Sequence, residues 1–256
     1  MTPIFFLNML CGAVAGLLSG LIGIGGGLVV VPLLHMIFRL PGAIPPGLIM
    51  HLAVGTSLSS ILFTALSSAR SQARRGGVLW DYVKGLAPAI VLGTLCAAWL
   101  ASRMSTAGLR IFFVVFLLFV ATQMLFDFYP HPRKTMPGRA TLAAAGFTIG
   151  GISSLVGLGG GSMSVPFLRW CGVQMRQAVG TSAAISWPIA VSGTLGFVFV
   201  GWAAPDLPDW SLGYVSLPAT LGIACSSVFF APLGVKLAHT LPVPVQIGRA
   251  SCRERV

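Results

Sequence analysis

Two glycine triplets, Gly25-Gly26-Gly27 and Gly159-Gly160-Gly161, are the residues of this chain best placed to do chemistry. Three consecutive glycines weaken a helix and permit backbone dihedrals closed to other residues. Each triplet sits inside an apolar stretch, so each predicts a helix that stops and restarts. A restarting helix offers unbonded N–H groups and partial positive charge at its first turn, a combination suited to an anion. After each triplet comes the pentad Ala-Val-Gly-Thr-Ser, at Ala53–Ser57 and Ala178–Ser182. Gly55, Thr56 and Ser57 in the first pentad, and Gly180, Thr181 and Ser182 in the second, supply neutral hydroxyl donors to the candidate site. Ser162, with Ser164 beyond it, adds hydroxyls in the second copy alone.

Other chemistries lack their residues. A nucleotide-hydrolase phosphate loop needs Gly-Lys-Ser/Thr after its glycines, and no lysine is near either triplet. The cysteines Cys11, Cys96, Cys171, Cys225 and Cys252 have no metal-site spacing and read as small apolar residues. No nucleophile–base pair or intramembrane acid dyad is visible, so neither an enzyme nor a cofactor is expected. Asp81, Asp127, Asp206 and Asp209 lie at span ends or in loops. Proton- and cation-coupled carriers usually keep a carboxylate at mid-membrane. The predicted site is therefore neutral to positive and suits an anion. His51, inside a span just before Gly55, reads either as a proton-sensitive group or as a hydrogen-bonded structural histidine. Trp187, beside Pro188 within a span, reads as packing or as pathway lining.

The elements that must hold these residues are membrane helices. Of 256 residues, 55% are hydrophobic and 8% charged, and the mean hydropathy is +0.90. Soluble domains carry roughly 25% charged residues. Apolar runs recur along the whole length, and a bilayer needs about 20 residues for each crossing helix. Since backbone groups in lipid must be bonded internally, the fold class is all-α, a polytopic transmembrane helical bundle. The net charge of +11 does not imply nucleic acid, because the basic residues lie mainly in short segments between spans. The expected partners are a small anionic substrate and the lipid bilayer, and a homo-oligomer is compatible with the pattern.

The chain is one unit written twice. Gly20 to Pro32 matches Ser154 to Pro166 at an offset of 134 residues, and the match runs back through Gly12/Gly146 and Gly16/Gly150. Gly12, Gly16 and Gly20 share one helix face and read as close-packing positions. The first repeat is expected over residues 1–128, with helical segments at 4–22, 28–38, 48–69, 85–102 and 107–128. A basic cytoplasmic linker covers 129–139, and the second repeat covers 140–246, with segments at 140–157, 162–172, 178–202 and 211–235. Pro88 and Pro218 are paired as counterparts. The stretch 247–256 breaks the composition abruptly, resembles translated sequencing-adapter read-through, and stands where a last helix would follow.

Charge orients the copies. Segment 70–84 carries Arg70, Arg74, Arg75 and Lys84 and is read as a cytoplasmic loop, whereas 203–210 has two aspartates and no base and is read as external. Equivalent loops on opposite sides imply inverted repeats with Gly-broken helices. Counting the broken region as two crossings gives five per copy and an N-terminus outside; re-entrant or half-length pieces at 28–38 and 162–172 are the alternative.

On the glycine motifs Gly20 to Pro32 and Ser154 to Pro166, together with the two pentads, the chain resembles the sulfite-exporter (TauE/SafE-like) family of bacterial membrane permeases. The resemblance implies a multi-pass protein of the bacterial inner membrane that exports a small sulfur-containing anion such as sulfite or an organosulfonate. The rival reading, from another class, is a membrane-embedded scaffold or assembly factor without transport. Packing glycines suit it, but it leaves the repeated Thr-Ser pairs unexplained.

Overall fold

A computed structural model describes residues 2–22, 26–39, 44–126, 137–202, 204–205 and 207–240. Gly25, most of the linker and the whole of 247–256 lie outside the described residues. In chain order the first copy gives α1 (Thr2–Ile22), α2 (Gly27–Arg39), α3 (Ile49–Arg74), α4 (Trp80–Arg103) and α5 (Thr106–Leu125). The second gives α6 (Arg139–Val156), α7 (Gly161–Trp170), α8 (Met175–Gly201), a hairpin of β1 (Ser211–Leu212) and β2 (Val215–Ser216), and α9 (Leu217–Thr240). Among the described residues, six helices are long and apolar enough to cross a membrane: α3 to α6, α8 and α9. The fold is thus the expected helical membrane bundle.

Several helix boundaries differ from expectation, most of all around 70–84, where α4 also starts early at Trp80, and at 211–216. The basic segment 70–84 is not a loop throughout, because α3 runs on to Arg74 before a short turn at Gly76, which has φ 68°. Hydropathy falls after Ala69, but Ser-Gln-Ala-Arg keeps good helix formers in the register, so the helix continues past its apolar part. Residues 211–216 do not begin a span. They form the antiparallel hairpin, with Ser211 opposite Ser216 and Leu212 opposite Val215, turned at Gly213 with φ 54°.

The copies are exchanged rather than side by side. On α1, a Cβ added at Gly12, Gly16 or Gly20 would overlap the carbonyl oxygens of Ile223, Ser227 and Ala231 on α9. On α6, Gly146 and Gly150 stand against the carbonyls of Leu86 and Ile90 on α4, and Ser154 Oγ donates to the Thr94 carbonyl at 3.4 Å. The first helix of each copy therefore packs, in parallel, on the fourth helix of the other. Small residues let these backbones touch where lipid supplies no hydrophobic drive. In this register Ile90 of α4 is equivalent to Ser227 of α9, 137 positions on. Pro88 then corresponds to Cys225, and Pro218, in the first turn of α9, is not its counterpart.

At the centre α3 crosses α8. Gly193 faces Leu58 and Gly55 faces Phe197, so the residue numbers run in opposite senses and the two equivalent helices are antiparallel. Within its crossing window α3 is 83% buried, against 22% for α5, which marks α3 as an axis of the bundle and α5 as its periphery. Trp80, Trp99, Trp202 and Trp210 are exposed, mostly at element ends, as interfacial anchors are.

Candidate functional site at two helix breaks

The break in the second copy is fully described. Helix α6 ends at Val156, and Gly157 takes the left-handed conformation with φ 74°. Its N–H donates to the Ser154 carbonyl at 3.2 Å, and the Leu158 N–H donates to the Ser153 carbonyl at 2.8 Å, closing the helix end. Gly160, with φ 75°, then starts α7. Both positions need glycine, because a side chain at positive φ costs about 1–2 kcal/mol. The Gly160 carbonyl accepts from Met163 at 3.1 Å and Ser164 at 2.8 Å. The N–H groups of Gly161 and Ser162 precede these bonds and have no partner among the described residues.

The first copy repeats this geometry where it is described. Gly26 has φ 70°, and its carbonyl accepts from Val29 at 3.2 Å and Val30 at 3.3 Å. Gly25 lies outside the described residues. The two breaks meet. A Cβ on Gly27 would overlap the Gly157 carbonyl and come within 3.0 Å of Ile61. A Cβ on Gly160 would overlap Ile189. Ile61 and Ile189 are the midpoints of α3 and α8, so the half-helices α2 and α7 both begin at half-depth of the central pair. With 10 residues, α7 is about 15 Å long, half the thickness of a hydrocarbon core.

The pentads divide between roles. Thr56 Oγ1 accepts the N–H of Ser216, just before α9, at 3.0 Å, and Thr181 Oγ1 accepts the N–H of Leu79, just before α4, at 3.0 Å. Gly55 and Gly180 admit the carbonyls of Tyr214 and Gly77 at the same two crossings. Each Gly-Thr pair thus clasps the segment leading into the opposite copy's fourth helix. Ser57 Oγ donates to the Gly157 carbonyl at 2.8 Å, directly on the break. Ser182 Oγ donates to the Val179 carbonyl of its own helix at 2.8 Å, and Ser186, one turn on, donates to the Gly159 carbonyl.

The break therefore gathers Gly26, Gly27, Ser57, Gly159, Gly160, Gly161 and Ser162, and sets Thr56 and Thr181 apart as clasps. It adds Ser153, which the motif alone does not mark. The hydroxyls of Ser153, Ser162 and Ser164 are buried with no hydrogen-bond partner. Ser153 stands close to Gly160, where an added Cβ would lie 3.4 Å from its Oγ. Its signal in the sequence is the repeat itself, since it answers Ser19. Three unpaired hydroxyls and two unpaired amides thus lie at or next to one buried helix start, all neutral and all able to donate to an acceptor.

Among the described residues nothing acidic opposes that reading. Asp81 and Asp209 are exposed, and no group of three or more His, Cys, Asp or Glu residues that could hold a metal occurs among the described residues. His51 is buried, with Nε2 3.0 Å from the Ala101 carbonyl. A carbonyl only accepts, so Nε2 carries the proton and His51 is a hydrogen-bonded histidine between α3 and α4. Trp187 is 42% exposed, on the outer surface of α8.

Half-helices starting at the centre of a lipid-spanning bundle define a class, the multi-pass membrane transporters with interrupted helices. The comparisons agree with it and narrow it. The model of the sulfite exporter TauE/SafE family matches residues 8–250, and the chain belongs to that family. It is 37% identical over 249 residues to a probable membrane transporter protein of Haemophilus influenzae, covering 95% of this chain and 92% of that one. A probable membrane transporter protein of Methanocaldococcus jannaschii is 26% identical over 234 residues, covering 90% and 85%. Another, from Bacillus subtilis, is 27% identical over 239 residues, covering 89% and 87%. No solved structure matches the chain.

Proposed function

We propose that this membrane transporter is a secondary permease exporting a small sulfur-containing anion, such as sulfite or an organosulfonate, across the bacterial inner membrane. The observation that carries the proposal is the start of α7. Two amides and three serine hydroxyls are unpaired there, at half-depth, and no described carboxylate faces them. Donors of this kind solvate an oxyanion through several short bonds and repel nothing negative. The family name supports a sulfur oxyanion as the cargo.

The antiparallel crossing of α3 and α8 supports an inverted relation of the copies in the bilayer. Alternating access then comes from one body rocking on the other about the central site. The exchanged packing supports mixed bodies rather than the two sequence copies. Helices α1, α3 and α9 hold together, as do α6, α4 and α8, and the α3–α8 crossing joins the two groups. An inside-negative potential gives about 2.3 kcal/mol per 100 mV to each negative charge that leaves, so export needs no coupling carboxylate.

Counterflow tests the proposal. Proteoliposomes loaded with unlabelled sulfite should accumulate labelled sulfite from outside, and organosulfonates should compete. Absence of flux for every small anion tried would overturn it.

A further inference from the structure

Between α3 and α9 a groove of about 520 Å³ opens on the outer face of the bundle, away from the helix breaks. Its α3 wall is a stripe at helical spacing, Phe63, Leu66 and Ser67, then Arg70, Ser71, Arg74 and Arg75. Its α9 wall is Val228 and Pro232. Pro232 has no N–H for the Val228 carbonyl, and Ser67 Oγ supplies the missing donor at 3.0 Å. That bond holds the two walls together at the middle of the groove.

The groove is amphiphilic along its length. One end is apolar, with Phe63 and Val228. The other carries Arg70, Arg74 and Arg75, all exposed and without an ion pair among the described residues. Lys236 lies one turn beyond Pro232 on the same face of α9 and adds a cation to that end. From Phe63 to Arg74 the α3 wall rises about 17 Å at 1.5 Å per residue, with Arg75 just past the helix end. Packing does not demand the arginines. In the second copy the positions of Arg70 and Arg74 on α8 are Leu195 and Phe199.

We propose that this groove binds an anionic phospholipid, its phosphate headgroup among Arg70, Arg74 and Arg75 and its acyl chain along Phe63, Leu66 and Val228. Charge complementarity selects the headgroup. A free phosphate would use the basic end and leave the apolar end idle, whereas a lipid matches both. Basic pockets between helices on the cytoplasmic side favour acidic headgroups in this way, and the positive-inside rule places these arginines there.

The test uses the full chain in phosphatidylcholine nanodiscs with spin-labelled phosphatidylglycerol or spin-labelled phosphatidylcholine as probe. The immobilised fraction should favour phosphatidylglycerol. R70Q/R74Q/R75Q should lower that preference by at least the roughly fivefold expected for a single surface cation. R103Q/R110Q, at two exposed arginines outside the groove, should keep it. A triple variant that folds and retains the preference would overturn the proposal. So would an equal loss in the control variant, or displacement of the lipid probe by inorganic phosphate.

Discussion

Thr181 Oγ1 accepts the N–H of Leu79 at 3.0 Å, joining the second copy's central helix to the segment that opens the first copy's fourth helix. Thr56 makes the mirrored bond to Ser216 at 3.0 Å. The two clasps fix the entry of α4 and α9 and so hold the exchanged packing in register. Thr181→Val keeps the shape but leaves the Leu79 amide without its acceptor. A loss of about 1 kcal/mol is expected, read as a lower unfolding temperature in detergent, with Thr181→Ser recovering most of it. Thr56→Val should behave alike. An unchanged melting temperature for both valine variants would remove the clasps from the account.

The small-residue face of α6 makes a sharper contrast. Gly150 stands against the backbone of Ile90, whereas its neighbour Gly151 has 3.6 Å to the nearest backbone atom of α4. Gly150→Ala should cost about 1–3 kcal/mol through overpacking. Gly151→Ala should be neutral, or gain up to about 1 kcal/mol from helix propensity. Thermal unfolding of the two purified variants checks the pair.

His51 Nε2 donates to the Ala101 carbonyl at 3.0 Å and so ties α3 to α4. His51→Gln keeps a donor near the Ala101 carbonyl and should preserve both stability and the pH profile of flux. His51→Leu should cost about 1 kcal/mol, since that carbonyl keeps the Met104 N–H at 3.1 Å. A pH profile flattened by His51→Gln would assign His51 a proton-carrying role instead.

Much of this was legible in residue order. Triplets of glycine in apolar surroundings have few readings other than a break, and their repetition marked both half-helices to within a residue or two. Gly12, Gly16 and Gly20 announced a packing face through spacing alone. Which helix meets that face was not legible, because apolar spans offer a glycine stripe several equivalent partners, and the exchange of α1 onto α9 is a property of the assembled bundle. That Thr56 and Thr181 also accept a distant amide was not legible for a related reason. A hydroxyl in an apolar span needs a partner, and nothing local shows that an amide 160 or 102 residues away provides it. The end of α3 was missed because hydropathy reports lipid, not helix.

Anion binding turns on the start of α7. Ser162 and Ser164 hold unpaired, buried hydroxyls, so their loss should not weaken the fold, unlike that of Thr56 or Thr181. The decisive measurement is concentration-dependent sulfite flux through S162A/S164A in proteoliposomes, alongside its melting temperature. A hydrogen bond to a charged ligand is worth about 1.5–3 kcal/mol, so the apparent affinity should fall at least tenfold while the melting temperature stays at the wild-type value. Wild-type affinity in a normally folded double variant would contradict the account.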